Sequence, residues 1–132
     1  MTIIQNDKMP QGKGHYSTCI GHNGILYISG QIPINQTDKS IPDGIDLQTK
    51  LVLQKLKNIL EAAESNINKV LQVRIYLTDI QNWEKVNEIY VDFFGNHKPA
   101  RCVVPTGPLH YGVLIEIEAI AYIKWKINLL IQ

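Results

Sequence analysis

Length, composition and charge describe a chain that folds and carries no strong electrostatic footprint. Its 132 residues are 45% hydrophobic and 19% charged, which favours one globular domain with a sizeable core and excludes a disordered chain. Basic residues number 13 and acidic residues 12, so neither nucleic acid nor an acidic membrane surface is an expected partner. The apolar runs are too short for a spanning helix and the polar N-terminus lacks a secretory signal, so we expect a cytoplasmic protein.

The first half of the chain predicts two strands, a loop and a helix. Residues 1–18 are expected to be mostly irregular. Residues 19–20 and 25–29 flank a turn sequence rich in glycine and asparagine, which predicts two strands. Residues 30–44 contain prolines and glycines and predict a loop. Residues 46–64 predict a helix, because one stripe at helical spacing collects Val52, Leu56, Ile59, Leu60 and Ala63.

The second half predicts three more strands and a second helix. Residues 71–77 alternate between apolar and polar side chains, which predicts a strand that buries Leu71, Val73, Ile75 and Leu77. Apolar and aromatic residues recur at helical spacing over 83–94, and Gly95 predicts the end of that helix. Residues 100–104 predict a short strand and residues 114–125 a long one.

The order of these elements, β-β-α-β-α-β-β, predicts a two-layer α+β domain with two helices on one face of a mixed sheet. We expect a single domain over residues 1–132. The alternating apolar tail, residues 124–132, either lengthens the last strand or packs on a neighbouring subunit. The other face of the sheet still carries apolar side chains, so we expect a second copy to cover it in a homo-oligomer.

Arg101 and Glu116 are the most informative residues, because each lies inside a short apolar strand and the two strands could lie side by side. Buried charges are costly unless they are paired or used. A guanidinium can hold a substrate carboxylate through two parallel hydrogen bonds, and a carboxylate can take a proton from an attacking water. The structural alternatives are a salt bridge from Arg101 to Glu116 or Glu118, and a solvated or interface pair of glutamates.

Several other polar residues have both a functional and a structural interpretation. Ser29 and Gly30 end a strand, where they either present polar groups to a small ligand or simply form a turn. Asn87 lies on an apolar helix face, as a buried hydrogen-bonding group or as part of a pocket wall. Tyr16 lies in irregular chain and could cover a pocket. Arg74 is expected to form a cross-strand or intersubunit charge pair.

The chain has two cysteines and four histidines, and none of them has metal-ligand spacing, so no metal site is predicted. Both cysteines are expected to be free thiols in a cytoplasmic protein. Strand alternation places Cys102 on the face opposite Arg101, so a Cys102 nucleophile is disfavoured. We expect Cys102 to be a buried apolar thiol.

Taken in order and at their spacing, these motifs resemble the RidA (YjgF) family of reactive-intermediate deaminases. The resemblance spans about residues 10–123 and rests on the runs Gly14-His15-Tyr16, Ile28-Ser29-Gly30-Gln31-Ile32-Pro33, Asn87-Glu88-Ile89-Tyr90, Pro99-Ala100-Arg101 and Ile115-Glu116-Ile117-Glu118-Ala119-Ile120-Ala121. It implies a chorismate-mutase-like fold and a homotrimer with a ligand cleft at each subunit interface. It also implies cofactor-free hydrolysis of small 2-imino and enamino acids, such as 2-iminopropanoate and 2-iminobutanoate, to 2-oxo acids and ammonia.

The resemblance also implies a role for individual residues. Arg101 would bind the substrate carboxylate and Glu116 would hold the attacking water, while the cleft would be lined by Tyr16, Ser29, Gly30 and Asn87. Val103 would offer its backbone N–H, although it stands where the family usually has cysteine. His15 likewise stands where the family usually has proline.

Two other functions are compatible with the same motifs. One is a non-catalytic trimeric module that binds small carboxylate metabolites. The other is the ribonuclease activity attached to some family members, which the near-neutral charge and the lack of interleaved aromatic and basic residues disfavour.

Overall fold

The structure, a computed structural model, describes residues 1–10, 12 and 14–124, which form one six-stranded sheet and two α-helices. In chain order these elements are β1 (Thr2–Ile4), β2 (Cys19–His22), β3 (Ile25–Gln31), α1 (Ile45–Ala62), β4 (Val70–Leu77), α2 (Trp83–Phe94), β5 (Ala100–Pro105) and β6 (Ile115–Tyr122). The predicted α+β class is confirmed, and α2 ends before Gly95 as predicted.

The strands follow the order β1-β2-β3-β6-β4-β5 across the sheet. β4 and β5 are parallel, and every other neighbouring pair is antiparallel. β4 therefore lies between β5 and β6, and β5 is an edge strand. The expectation that the strands of Arg101 and Glu116 lie side by side is wrong, because α2 connects β4 to β5 by a parallel crossover that places β5 beyond β4.

One face of the sheet and the apolar stripes of both helices form the core. The α1 stripe is buried as predicted, with Val52, Leu56, Ile59 and Leu60 all at 0% exposure. Alternate residues of the central strands face this stripe, and on β6 they are Ile115, Ile117, Ala119 and Ala121. The side chains between them, including Glu116 and Glu118, point to the opposite face.

Two local predictions were wrong, and one short strand was not predicted. Thr2–Ile4 form strand β1, which pairs with β2, within residues 1–18 that were expected to be mostly irregular. Leu71 is 43% exposed, because the register between β4 and β6 shifts between Val70 and Gln72 and leaves Leu71 opposite no partner. The last strand ends at Tyr122 rather than near residue 125. The tail prediction covers residues 124–132, and of these residues 125–132 lie outside the described residues.

The outer face of the sheet is mixed rather than apolar. Arg74 and Glu118 form the predicted cross-strand pair, with 3.6 Å between Arg74 Nη1 and Glu118 Oε1. The hydroxyl of Tyr76 donates to the same oxygen at 2.5 Å, which raises the pKa of Tyr76 to about 12. Tyr27 stands on this face at 49% exposure.

None of the helices in the described part of the chain is long and apolar enough to cross a membrane.

Candidate functional site

A β-bulge places Ser29 and Gly30 at the end of β3. Ile28 pairs with Ala119 and Gln31 with Ile117, so β3 has one residue more than β6 over this stretch. The Ser29 hydroxyl donates to the Ser17 carbonyl at 2.6 Å. The Ser29 N–H also donates to the backbone of residue 18 at 2.9 Å. These bonds fasten the irregular segment that carries Tyr16 to the end of the strand.

Glu116 lies directly against Gly30. A Cβ built on Gly30 would overlap Glu116 Oε2, so the carboxylate occupies space that only glycine leaves open. Glu116 is half-buried, and burial raises the pKa of its carboxyl group. The charge of Glu118 raises that pKa further, while His110 opposes the shift. A raised pKa makes this carboxylate a better proton acceptor than an ordinary surface glutamate.

Tyr16 lies over two glycines. A Cβ on Gly12 or on Gly14 would collide with its ring, while Tyr16 as a whole is 55% exposed. Its exposed face is therefore available to a ligand at the end of β3. We call Tyr16, Ser29, Gly30 and Glu116 the glutamate half-site.

Arg101 is held by residues of α2. Its Nη1 donates to Asn87 Oδ1 at 2.9 Å. Its guanidinium carbon lies 4.7 Å from the ring centre of Tyr90 and 5.6 Å from that of Trp83. A guanidinium over aromatic rings is stabilised by the negative potential of their faces, and among the described residues only Asn87 takes a hydrogen bond from this one. Val103, two residues along β5, packs against the core.

We call Arg101, Asn87 and Val103 the arginine half-site. Sequence reasoning missed the aromatic partners of Arg101, although a signal was present. Trp83, Asn87 and Tyr90 recur at i, i+4 and i+7, which places them on one face of a helix.

The two half-sites do not meet within one chain. Arg101 pairs in register with Val73, and Val73 pairs with Ala119, so the three side chains share the helix-side face of the sheet. Glu116 belongs to the opposite face. With β4 between them, the backbones of β5 and β6 are also about 10 Å apart. The suggested salt bridge from Arg101 to Glu116 or Glu118 is absent, and Asn87 is the partner of Arg101 instead.

Cys102 faces away from Arg101, as strand alternation predicted, but the prediction that it is buried was wrong. Its thiol is exposed, and Cys19 is the buried cysteine. The reason is that β5 is an edge strand whose outer face no other element of the described residues covers. Among the described residues, no group of three or more histidine, cysteine, aspartate or glutamate side chains could hold a metal ion.

A pocket of about 430 Å³ opens beside the glutamate half-site. It extends from Tyr16 and Gly30 to the loop after β3, to Lys55 of α1 and to the turn that precedes β6. Its rim includes Tyr111, an aromatic residue held in the left-handed backbone region at φ 58°. Such a conformation costs about 1–3 kcal/mol and is found disproportionately at ligand sites.

Comparison with known proteins places this chain in a family. The family model described as Endoribonuclease L-PSP matches residues 6–123. The chain is 44% identical over 121 residues to a RutC family protein of Pyrococcus horikoshii, covering 91% of this chain and 96% of that one. It is 36% identical to the protein HMF1 of Saccharomyces cerevisiae, covering 92% and 94% of the two chains.

Comparison with solved structures indicates the same family. RidA from an Antarctic Psychrobacter superposes with a TM-score of 0.88 at 33% identity, covering 93% of this chain and 100% of that one. TdcF of E. coli, solved with bound serine, gives a TM-score of 0.87 at 30% identity, covering 92% and 98%. The chain belongs to the RidA (YjgF) family, whose family model bears the L-PSP description.

Proposed function

We propose that this protein is a cofactor-free deaminase that hydrolyses small 2-imino and enamino acids, such as 2-iminopropanoate and 2-iminobutanoate, to 2-oxo acids and ammonia. The observation that carries the proposal is the pair of half-sites. One offers a guanidinium already oriented by Asn87 and two aromatic rings. The other offers a carboxylate with a raised pKa that lies against a glycine.

The chemistry needs little more than positioning. Arg101 binds the substrate carboxylate through its free N–H groups and thereby orients the neighbouring C=N carbon. Glu116 accepts a proton as water adds to that carbon, and it returns the proton to the nitrogen. Glu116 then carries the proton of the new hydroxyl group to the same nitrogen, and the C–N bond breaks as the C=O bond forms, so imino acid plus water gives 2-oxo acid plus ammonia. Tyr16, Ser29 and Gly30 enclose the reacting end, and the backbone N–H of Val103 donates to the carboxylate.

The half-sites lie on opposite faces of the sheet, so a cleft that contains both takes one half from each of two copies. We accordingly propose a homotrimer with three equivalent clefts, each closed by Arg101 of one copy and Glu116 of the next. A ring of three copies makes every copy donate each half once. The location is proposed to be the cytoplasm, although a Saccharomyces cerevisiae relative 32% identical to this chain is named mitochondrial.

The other candidate is a non-catalytic trimeric module for small carboxylate metabolites. It draws support from the serine bound to TdcF, since serine carries the carboxylate that Arg101 would recognise. We prefer the deaminase, because simple binding has no use for a carboxylate of raised pKa beside the bound carbon. We do not propose the ribonuclease activity in the family's description, because the net charge of +1 offers no footprint for RNA.

The proposal is tested by imine hydrolysis. Imines are generated from serine or threonine by a pyridoxal-phosphate dehydratase, and the expected result is 2-oxo acid formed faster than in buffer. No acceleration by the wild-type protein, together with calorimetric binding of 2-oxobutanoate, would leave the binding module as the function.

The shared cleft is tested by mixing two inactive variants, Arg101→Ala and Glu116→Gln. In randomly mixed trimers each cleft has about one chance in four of receiving both intact half-sites, so about a quarter of wild-type activity should return. The matched control mixes Arg101→Ala with Arg101→Gln, which both remove the guanidinium from the same half-site and should restore nothing. No recovery in the first mixture would show that the two half-sites do not share a cleft.

A further inference from the structure

The pocket beside Gly30 is larger than the hydrolysis of very small imines requires. Its volume of about 430 Å³ is within the range of roughly 300–1,000 Å³ that is typical of ligand pockets. A methyl or ethyl side chain would fill only a small part of it. The pocket also borders the proposed reaction centre, because two of its lining residues adjoin Glu116. Gly30 lies against the Glu116 carboxylate, and the charge of His110 opposes the rise in the Glu116 pKa.

The lining is cationic. Lys39 and Lys55 both line the pocket, and none of the described residues that line it is acidic. Within the described residues neither lysine has a carboxylate within salt-bridge distance. The Lys55 ammonium donates to the carbonyls of Ile32 at 2.8 Å and Ile34 at 3.2 Å, which fixes it at the pocket wall. Burial lowers the pKa of Lys55, and the charge of Lys39 lowers it further.

The ammonium groups of Lys39 and Lys55 repel each other and have no counter-ion among the described residues. A bound anion would relieve this repulsion, so the pocket suits an anionic ligand. Between these lysines and Gly30 the wall is aliphatic, with Ile32, Ile34 and Ile41 among the lining residues. The pocket therefore suits a short apolar chain that ends in a negative group.

We propose that this pocket is the subsite for the substrate side chain and that Lys39 and Lys55 select imino acids whose side chain ends in a second carboxylate. The inference rests on the proposed deaminase function and names its substrate class: dicarboxylic 2-imino acids, of which the five-carbon acid derived from glutamate is the simplest match. Arg101 of the neighbouring copy would hold the first carboxylate and the two lysines the second.

The test compares two substrates on the full-length protein. Imino acids are generated in situ by amino-acid oxidases from glutamate and from 2-aminobutyrate, and kcat/KM is measured for each. The expected result is a preference of about tenfold or more for the dicarboxylic imine, equivalent to about 1.4 kcal/mol. Equal values, or a preference for the monocarboxylic imine, would overturn the subsite.

Charge variants link the preference to the pocket. Lys39 has φ 62°, a left-handed conformation that asparagine tolerates, so Lys39→Asn removes the charge without straining the loop. The preference should fall about tenfold in Lys39→Asn and return in Lys39→Arg. Lys50→Asn is the matched control, because Lys50 is an exposed residue of α1 outside the pocket. An equal change in the control would point to net charge rather than to the subsite.

Calorimetry with 2-oxoglutarate and 2-oxobutanoate separates the two proposals. Tighter binding of 2-oxoglutarate that depends on Lys39, in a protein that hydrolyses no imine, would keep the subsite and reject the deaminase. Hydrolysis without a preference between the imines would keep the deaminase and reject the subsite.

Discussion

Replacing Gly30 with alanine should abolish most of the proposed activity without harming the fold. Gly30 is not among the glycines with positive φ, so alanine fits its backbone. The new Cβ would overlap Glu116 Oε2 and approach the carboxyl carbon to 3.2 Å. Because the strand backbone is held by its bulge and by hydrogen bonds, the Glu116 side chain is the part that moves.

The size of the effect follows from that movement. Relieving the overlap takes the carboxylate about 1 Å or more from its position, and a displacement of that size costs about 10²-fold in rate. This corresponds to about 2.7 kcal/mol of lost transition-state stabilisation. The free energy of unfolding should change by less than about 1 kcal/mol, since alanine also reduces the entropy of the unfolded chain.

The assay measures kcat for 2-iminobutanoate together with urea denaturation. Gly107→Ala is the matched control, because a Cβ there meets nothing within 4 Å and its φ is not positive. A double-mutant cycle tests the cause: on a Glu116→Ala background, Gly30→Ala should cost little more. If Gly30→Ala keeps kcat within twofold of wild type, the carboxylate does not act from the position that the structure gives it.

Three further predictions concern the same half-sites. On an Arg101→Ala background, where no neighbouring guanidinium lowers the pKa of Glu116, Glu116→Gln should remove the fall in the free energy of unfolding that Arg101→Ala alone shows between about pH 4.3 and the raised pKa of Glu116. The fall is expected because the folded chain binds that proton more tightly than the unfolded chain, and urea titrations at several pH values check this. Asn87→Ala should raise KM about tenfold by releasing Arg101, whereas an effect on kcat alone would argue against a role in carboxylate binding. Tyr90→Phe should raise the free energy of unfolding by about 1 kcal/mol, because the Tyr90 hydroxyl is buried without a hydrogen-bond partner among the described residues; a loss of stability in urea denaturation would mean that the hydroxyl is paired.

The local parts of this fold could be predicted from the sequence, because they depend on periodicity within one element. The α1 stripe, the end of α2 at Gly95 and the alternation of Glu116 with buried neighbours all follow from spacing. The order of strands could not be predicted in the same way. It is decided by where the α2 crossover returns the chain, which depends on long-range packing and separates β5 from β6.

Leu71 and Cys102 show how a correct local pattern can fail. Leu71 fits the alternation of its strand, but a bulge against β6 exposes it, and a bulge depends on both partner strands. Cys102 was placed on the correct face, yet its exposure depends on β5 being an edge strand. Both errors arise because burial belongs to the assembled sheet rather than to the strand.

The separation of the half-sites gives the pKa of Glu116 a role in the proposed reaction. In one chain, burial and Glu118 raise that pKa without an opposing guanidinium nearby. In the proposed trimer, Arg101 of the neighbouring copy approaches the carboxylate and lowers that pKa, which keeps Glu116 ionised. A substrate carboxylate then neutralises the guanidinium, so the pKa of Glu116 rises again and the group becomes a stronger base only when a substrate is present. The acid limb of kcat should therefore lie at higher pH than the acid limb of kcat/KM, because kcat reports the complex and kcat/KM the free enzyme.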